Sequence, residues 1–134
     1  MTSKITYLGD LRTEMVHIQS GSAVLTDAPT DNHGKGLASS PTDLMATALG
    51  SCMLTTMAIG TMSRGLTIDG ASATVQKIMS SDPPRRIVRI EVRITMPSND
   101  YTEEEKQILE KIAYACPISK SLHPDLEQAI EFVW

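Results

Sequence analysis

The sequence predicts an α+β domain, because strand-like and helix-like segments occupy separate stretches of the chain. Three observations support this class. Short alternating segments fill the first 25 residues, an apolar helix follows a long loop, and a regularly alternating strand precedes a second helical region. At 134 residues the chain is too short for two separate hydrophobic cores, so we expect residues 1–134 to form one domain.

The charge balance limits the partners of the protein. Lys and Arg number 12 against 16 Asp and Glu, which gives a net charge of −4. A net negative charge disfavours attraction to phosphate backbones and anionic lipid, so we expect neither a nucleic-acid nor a membrane partner. The chain begins without an apolar signal stretch, and two cysteines are too few for a secreted disulfide scaffold. The expected location is therefore the cytoplasm.

The N-terminal third is predicted to be a meander of three strands. Residues 4–8, 11–19 and 22–25 are strand-like, and turn signals at residues 9–10 and 20–21 separate them. The next segment, residues 26–40, is rich in Asp, Asn, Gly and Pro. Its length and composition are typical of a loop that carries function.

A long apolar helix should follow the loop. Ser40 is placed as its N-cap, Pro41 as its first residue and Asp43 as the partner in a capping box, and Gly65 is the expected stop. Apolar residues occupy nearly the whole circumference of this helix, which requires cover on almost all sides. A chain of this length has little material for that cover, so we expect a partner chain to supply part of it, in a dimer.

The second half is predicted to contain a hairpin, two helices and a last strand. Residues 67–79 and 88–96 are strand-like, and the alternation in 88–96 is typical of a half-buried antiparallel strand. Residues 102–105 form a second capping box. Pro117 should break the helix that begins there, with a short helix over 117–122 and a strand over 126–134 after it.

Two cysteines are the candidates for chemistry. Cys52 lies inside the apolar helix, where a cysteine is either a small buried hydrophobe or a thiol activated by a neighbouring cation; it lies too far from its own helix N-terminus for the dipole to help. Cys116 precedes Pro117, where it can cap the short helix. Backbone N–H groups there would lower its pKa and leave it mobile, or it is simply tolerated at a kink. Together the thiols would make a peroxidatic and resolving pair if the fold joins them.

Both cysteine segments resemble a known family. The run SPTDLMATALGSC, residues 40–52, resembles the first-cysteine motif of the OsmC/Ohr family, and CPISKSL, residues 116–122, resembles its second, C-P-x-S-x-x-L. The motifs occur in the family's order and at about its spacing, and the predicted elements follow its layout over nearly the whole chain. The resemblance implies an OsmC-like fold, in which an antiparallel sheet and a central buried helix form an intertwined homodimer with active sites at the subunit interface.

The resemblance also implies a function. The protein would be a thiol peroxidase that reduces organic hydroperoxides, and possible substrates include hydrogen peroxide. Cys52 would be the peroxidatic cysteine and Cys116 would resolve its sulfenic acid as a disulfide, which an external dithiol then reduces. No metal, flavin or haem cofactor is implied.

The family's cation and carboxylate are less regular in this chain. The family uses an arginine to polarise the thiolate and a glutamate, directly after the proline of the first motif, to hold that arginine. Thr42 stands at the glutamate position here and Asp43 follows it, so Asp43 either substitutes or only closes the capping box. The family's arginine lies in the N-terminal strands or in the loop. The loop has only Lys35, which leaves Arg12, a residue that could equally be a solvated strand charge.

Other interpretations of the sequence remain open. Leu49, Met53 and Met57, together with the partner chain, are expected to line an apolar pocket that favours organic peroxides. The alternative function is a non-catalytic or weakly active dimer that senses redox state or binds a small molecule, which the missing glutamate favours. A zinc site built from both cysteines and a histidine is conceivable, but no ligand spacing typical of zinc supports it.

Overall fold

The computed structural model describes residues 1–134 and confirms the α+β class, with two three-stranded sheets and three α-helices. The chain forms two compact units, Met1–Met45 and Ala46–Trp134. Each is described by itself below. The single domain expected over residues 1–134 stays a prediction.

The first unit contains the predicted meander. Its strands are β1 (Ser3–Gly9), β2 (Arg12–His17) and β3 (Ala23–Asp27), paired antiparallel in the order β1-β2-β3. The turn between β1 and β2 has positive φ at Gly9, a conformation that glycine adopts without steric cost. One turn of 3₁₀ helix, Thr30–Asn32, interrupts the loop that follows β3.

Helix α1, Pro41–Thr61, begins where the sequence predicts. The Asp43 backbone N–H donates to Ser40 Oγ at 3.1 Å, and the Ser40 backbone N–H donates to Asp43 Oδ2 at 2.8 Å. These two bonds are the predicted capping box, which satisfies N–H groups that have no partner inside the helix.

The predicted end of α1 at Gly65 is wrong, because the helix ends at Thr61. Two side chains bind the carbonyl groups of the last turn. Thr61 Oγ1 donates to the Ala58 carbonyl at 2.7 Å, and Arg64 Nη1 donates to the Gly60 carbonyl at 2.6 Å. Side-chain donors can replace the missing helical N–H partners of a C-terminal turn, so the helix stops before the glycine.

The second unit contains the rest of α1 and the remaining elements. They are β4 (Ser72–Met79), β5 (Ile87–Thr95), α2 (Glu103–Tyr114), α3 (Pro117–Ser121) and β6 (Glu127–Val133), and the sheet order is β4-β5-β6. Strand β4 begins later than the predicted residue 67, because Gly70 adopts positive φ in a turn before it. Helix α2 has the predicted capping box between Thr102 and Glu105.

The sheet of the second unit is mixed, so the expected antiparallel sheet is wrong for one pair of strands. Strands β4 and β5 are antiparallel, but β5 and β6 run parallel, with Arg89 opposite Glu127 at one end and Thr95 opposite Val133 at the other. Helices α2 and α3 connect β5 to β6. A parallel pair needs a crossover connection of about a dozen residues or more, and these helices supply it.

One face of α1 packs into the core of the second unit. Leu49, Met53 and Met57 are completely buried there. Gly50 permits the close approach to the sheet, since a Cβ atom at this position would lie 2.8 Å from Val75 Cγ2. Gly60 serves the same purpose against α2, where a Cβ atom would lie 2.8 Å from Ile112 Cδ1.

A single chain does not cover the central helix on all sides. Ile59 is 64% exposed and Met62 is 82% exposed. By length and composition alone α1, with a mean hydropathy of 1.4, could also cross a membrane, but core helices of globular proteins share these features. The single chain covers one face of α1 and leaves apolar side chains on another face in contact with solvent.

Candidate active site

The two cysteines meet in the second unit. Cys52 is half-buried on α1, and Cys116 is fully buried as the N-cap residue of α3. Each thiol shifts the pKa of the other, so the two side chains lie close together. Thr56, one turn along α1, places its Oγ1 3.9 Å from Cys52 Sγ. The fold therefore joins the two thiols that the sequence singled out.

Cys116 caps α3 as predicted, and its expected mobility stays a prediction. Its backbone N–H donates to the Ala113 carbonyl at 3.1 Å, and its Sγ accepts the Ser119 N–H at 3.3 Å. These two bonds hold the residue at both its main chain and its sulfur. The half-buried Cys52 is the more accessible of the two thiols.

The two thiols differ in acidity. Burial opposes ionisation of Cys52, but hydrogen bonds from the Ile118 backbone N–H, the Cys116 side chain and Thr56 outweigh it and lower its pKa. Burial raises the pKa of Cys116. The Ser119 N–H opposes this effect, whereas the hydrogen bond to Cys52 and the charge on that thiolate add to it. Cys52 is therefore the more acidic of the two thiols.

The raised pKa of Cys116 is opposite to one of the two expectations from the sequence, in which the N–H groups at the start of α3 lower it. Cys52 is beyond the reach of its own helix, but the Ile118 N–H at the start of α3 donates to it. Another helix therefore supplies the donor, a contact that has no signal in the sequence around position 52.

Gln128 is a residue of this region that the sequence analysis missed. It lies on β6, and its Nε2 donates to the Ser119 carbonyl of α3 at 3.0 Å. No local pattern marks this role, because the bond joins a strand residue to a helix across the turn that connects α3 to β6.

The three proposed pocket residues lie in the core. Leu49, Met53 and Met57 each have no exposed surface, and they pack with the sheet residues of the second unit. Partly buried Ile118 and Leu122, at either end of α3, pack against the same core. The role of Leu49, Met53 and Met57 in lining a substrate pocket stays a prediction.

A groove of about 560 Å³ lies on the surface of the second unit, but it contains neither cysteine. Its lining includes Arg89 and Arg93, which form ion pairs with Glu127 at 2.8 Å and Glu131 at 3.7 Å. Its charges are thus largely neutralised within the chain. The thiol pair, and not this groove, is the candidate site.

The proposed cation and carboxylate lie in the first unit. Arg12 is half-buried on β2, and its Nε is buried without a hydrogen-bond partner. Asp43 closes the capping box of α1. The roles of Arg12 in polarising the thiolate and of Asp43 in holding that arginine stay predictions. No group of three or more His, Cys, Asp or Glu side chains has the geometry to hold a metal ion.

Asp27 is a second residue that sequence reasoning missed, since it was assigned to the loop. It ends β3 directly opposite Arg12 of β2, and it is fully buried. Its Oδ2 accepts the Leu37 N–H at 2.9 Å, whereas its Oδ1 has no partner. An Asp that follows a β-rich segment gives no signal of burial, because the pairing of β2 with β3 decides which side of the sheet it faces.

Solved structures share this fold. A protein from Psychrobacter arcticus 273-4, provisionally described as an osmotic stress induced and detoxification response protein, is 45% identical, with a TM-score of 0.92 over 98% of this chain and 95% of that one. The organic hydroperoxide resistance protein OsmC from Legionella pneumophila has 13% identity and a TM-score of 0.78, covering 100% and 98%. OhrB of Bacillus subtilis has 18% identity and a TM-score of 0.73, covering 98% of each chain.

The sequence comparisons complete this picture. Curated protein sequences give no match. Residues 33–131, which include both cysteine motifs, match the family model described as OsmC-like protein. The resemblance of the two motifs is thereby confirmed, and with it the mixed α+β fold that the OsmC/Ohr structures share: the chain belongs to the OsmC-like family.

Proposed function

We propose that the protein is a cysteine-based thiol peroxidase that reduces organic hydroperoxides. The observation that carries this proposal is the pair of neighbouring thiols with opposite shifts in pKa, Cys52 downward and Cys116 upward. A peroxidatic cysteine must be a thiolate, because the thiol form is a poor nucleophile. A resolving cysteine must keep its proton until the first step is complete.

The proposed cycle has three steps. The Cys52 thiolate attacks the terminal oxygen of the hydroperoxide, the O–O bond breaks, and the leaving alkoxide takes a proton to become an alcohol. Cys52 is then a sulfenic acid. The Cys116 sulfur, having lost its proton, attacks the Cys52 sulfur, so that a disulfide forms and the hydroxyl leaves as water. An external dithiol reduces the disulfide by thiol exchange and is itself oxidised.

The family and the surroundings of the thiols support this reaction. Structures of the same fold are named as organic hydroperoxide resistance proteins. Ile118 and Leu122 give the region of the thiols an apolar border. We further propose that Leu49, Met53 and Met57 support an apolar pocket, that Arg12 polarises the thiolate, and that Asp43 holds that arginine. An alkyl hydroperoxide suits an apolar border better than hydrogen peroxide does.

We propose that the active form is a homodimer in a reducing compartment, the cytoplasm. The support for a dimer is the exposure of large apolar side chains at the C-terminal end of α1, Ile59 on the helix and Met62 directly after it. Exposed apolar side chains of this size on a long helix indicate a partner surface. The support for a reducing compartment is chemical, since the cycle needs a dithiol donor.

Thiol counting after rapid mixing tests the proposed function. The reduced protein should lose two thiols within seconds of adding one equivalent of cumene hydroperoxide, and more slowly with hydrogen peroxide. Cys52→Ser should abolish the loss, because the nucleophile is gone. Cys116→Ser should lose its remaining thiol once and then accumulate a sulfenic or over-oxidised Cys52, visible by mass spectrometry.

Two outcomes would contradict parts of this proposal. A clear preference for hydrogen peroxide would overturn the apolar pocket, and multiple turnovers by Cys116→Ser would overturn the resolving role. Thiols that survive for many minutes would favour the alternative, a dimer that senses redox state or binds a small molecule. Thr42 at the family's glutamate position is the observation behind that alternative.

A further inference from the structure

We propose that Gln128 is a positioning residue that holds α3 in place against the two thiols. The reaction in which it would matter rests on the proposed function. The contacts of Gln128 are independent of the proposed function, because they are features of the structure and all lie within the second unit. Gln128 touches neither sulfur and acts through the backbone of α3.

A hydrogen bond joins Gln128 to α3. Gln128 Nε2 lies 3.0 Å from the Ser119 carbonyl oxygen. A carbonyl can only accept a hydrogen bond, so the amide must present its NH₂ group, and the orientation of the side chain is settled. β6 is paired with β5 along its length, so Gln128 ties α3 to a rigid sheet.

Helix α3 has little stability by itself. The helix has five residues, Pro117–Ser121, too few to be stable without tertiary contacts. Two apolar side chains, Ile118 and Leu122, anchor it to the core. Apolar contacts are not directional, so they hold the helix near the core without specifying its rotation. The hydrogen bond from Gln128 is directional and supplies that specification.

Backbone N–H groups of α3 act on the sulfurs of both Cys52 and Cys116. The Ser119 N–H donates to Cys116 Sγ at 3.3 Å, and the N–H of the preceding residue, Ile118, lowers the pKa of Cys52. Gln128 binds the carbonyl of the same Ser119 whose N–H meets Cys116. A rotation of α3 that follows loss of the Gln128 bond would therefore misalign both donors at once.

Gln128 also destabilises the fold. Its Oε1 is buried and has no hydrogen-bond partner. A buried acceptor without a partner destabilises the fold, and an apolar side chain here would avoid that penalty. The neighbouring β6 residues Ala129 and Ile130 are apolar. A glutamine at this point is therefore explained by its NH₂ donor and not by packing.

Gln128→Met tests the proposal, because methionine keeps the length of the side chain and removes the donor. The measurement is the rate at which iodoacetamide alkylates Cys52, followed by mass spectrometry from pH 5 to pH 10. We expect the rate at pH 7 to fall by about 2- to 10-fold, the equivalent of one hydrogen bond. The Cys52 alkylation rates of variant and parent should converge at high pH, where Cys52 is ionised in both proteins.

Two further variants complete the test. Gln76→Met is the control, since Gln76 is an exposed residue of the same sheet, and it should leave the pH profile unchanged. Gln128→Asn keeps an amide but is one methylene too short to reach Ser119. It should shift the profile as methionine does, and it replaces Gln128→Met if that variant does not fold.

The outcomes separate this inference from the proposed function. A folded Gln128→Met or Gln128→Asn protein with the parent's pH profile would overturn the positioning role, as would an equal shift in Gln76→Met. Alkylation needs no peroxide. If the parent does not reduce hydroperoxides, the proposed peroxidase function is refuted. If the Gln128 variants then still shift the pH profile of alkylation, the positioning role of Gln128 stands.

Discussion

At the scale of single residues, Cys52 and Cys116 acquire different acidities because their partners differ. Cys52 accepts a backbone N–H from α3 and the Cys116 S–H, and together these outweigh the effect of burial. Cys116 is completely buried, and a neighbouring thiolate further raises its pKa. The same contact thus lowers one pKa and raises the other, which gives the two sulfurs the separate roles that the proposed cycle needs.

This difference predicts selective alkylation. A lowered pKa means that Cys52 loses its proton at a lower pH than an ordinary thiol, so at pH 7 iodoacetamide should label Cys52 well before Cys116. The labelling rate should fall as the pH is lowered through the pKa of Cys52. Peptide mass spectrometry of the folded protein measures both sites, and Cys52→Ser serves as the control for background labelling of Cys116. Equal labelling of both cysteines would contradict the assignment.

At the scale of elements, close approach of α1 to the sheet depends on Gly50. A Cβ atom there would lie 2.8 Å from Val75 Cγ2 and 3.6 Å from Val92 Cγ1. Valine is stiff because it is branched at Cβ, so Val75 cannot easily turn its methyl group aside. The glycine therefore sets the distance between α1, which carries Cys52, and the sheet of the second unit.

Gly50→Ala should destabilise the protein although alanine is the better helix former. The added methyl group should cost about 1–3 kcal/mol through overpacking, against a gain of about 1 kcal/mol in helix propensity. Urea denaturation measures the net change in the free energy of unfolding. Val75→Ala removes the methyl group in the way, so in the double variant the Gly50→Ala change should cost less than it does alone.

The two outcomes of this experiment are distinct. Stabilisation by about 1 kcal/mol in Gly50→Ala would mean that helix propensity alone decides, and the packing account of Gly50 would be wrong. Additive effects in the double variant would likewise show that positions 50 and 75 are not coupled.

At the scale of the whole molecule, the single chain leaves much apolar surface exposed. In the second unit the exposed residues include Ile59 of α1 and Met62 directly after it, and in the first unit Ile5, Tyr7 and Leu37 are each more than half exposed. Isolated exposed apolar residues are common, but groups of them mark interaction surfaces. A second copy of the chain is the partner that we propose for the exposed apolar residues at the end of α1.

The protein should therefore be a dimer at micromolar concentration, and Ile59→Glu should weaken it. Burying an unpaired carboxylate in an apolar interface is unfavourable, so the variant should shift toward monomer. Sedimentation equilibrium measures the shift. Gln107→Glu, on the exposed surface of α2, adds the same charge away from α1 and should leave the dimer intact. A parent protein that is a well-folded monomer would contradict the proposed assembly.

The sequence by itself determined the local features of this protein. The starts of α1, α2 and α3 were predicted from Ser40, Thr102 and Cys116, because a capping bond closes within three residues. The turns of the first meander were likewise readable from Gly9 and from the Ser-Gly pair before β3. The two cysteine motifs, each a continuous segment, were sufficient to indicate the family.

Only the tertiary structure decided the parallel pairing of β6, the burial of Asp27 and the acidities of the two thiols. Each depends on groups that are distant in sequence. Cys52 owes its lowered pKa to α3, and α3 is bound by Gln128 of a strand that follows it. Hydrophobic pattern and capping report on neighbours within a few residues, whereas ionisation of a thiol responds to whichever donors the fold brings within hydrogen-bond distance.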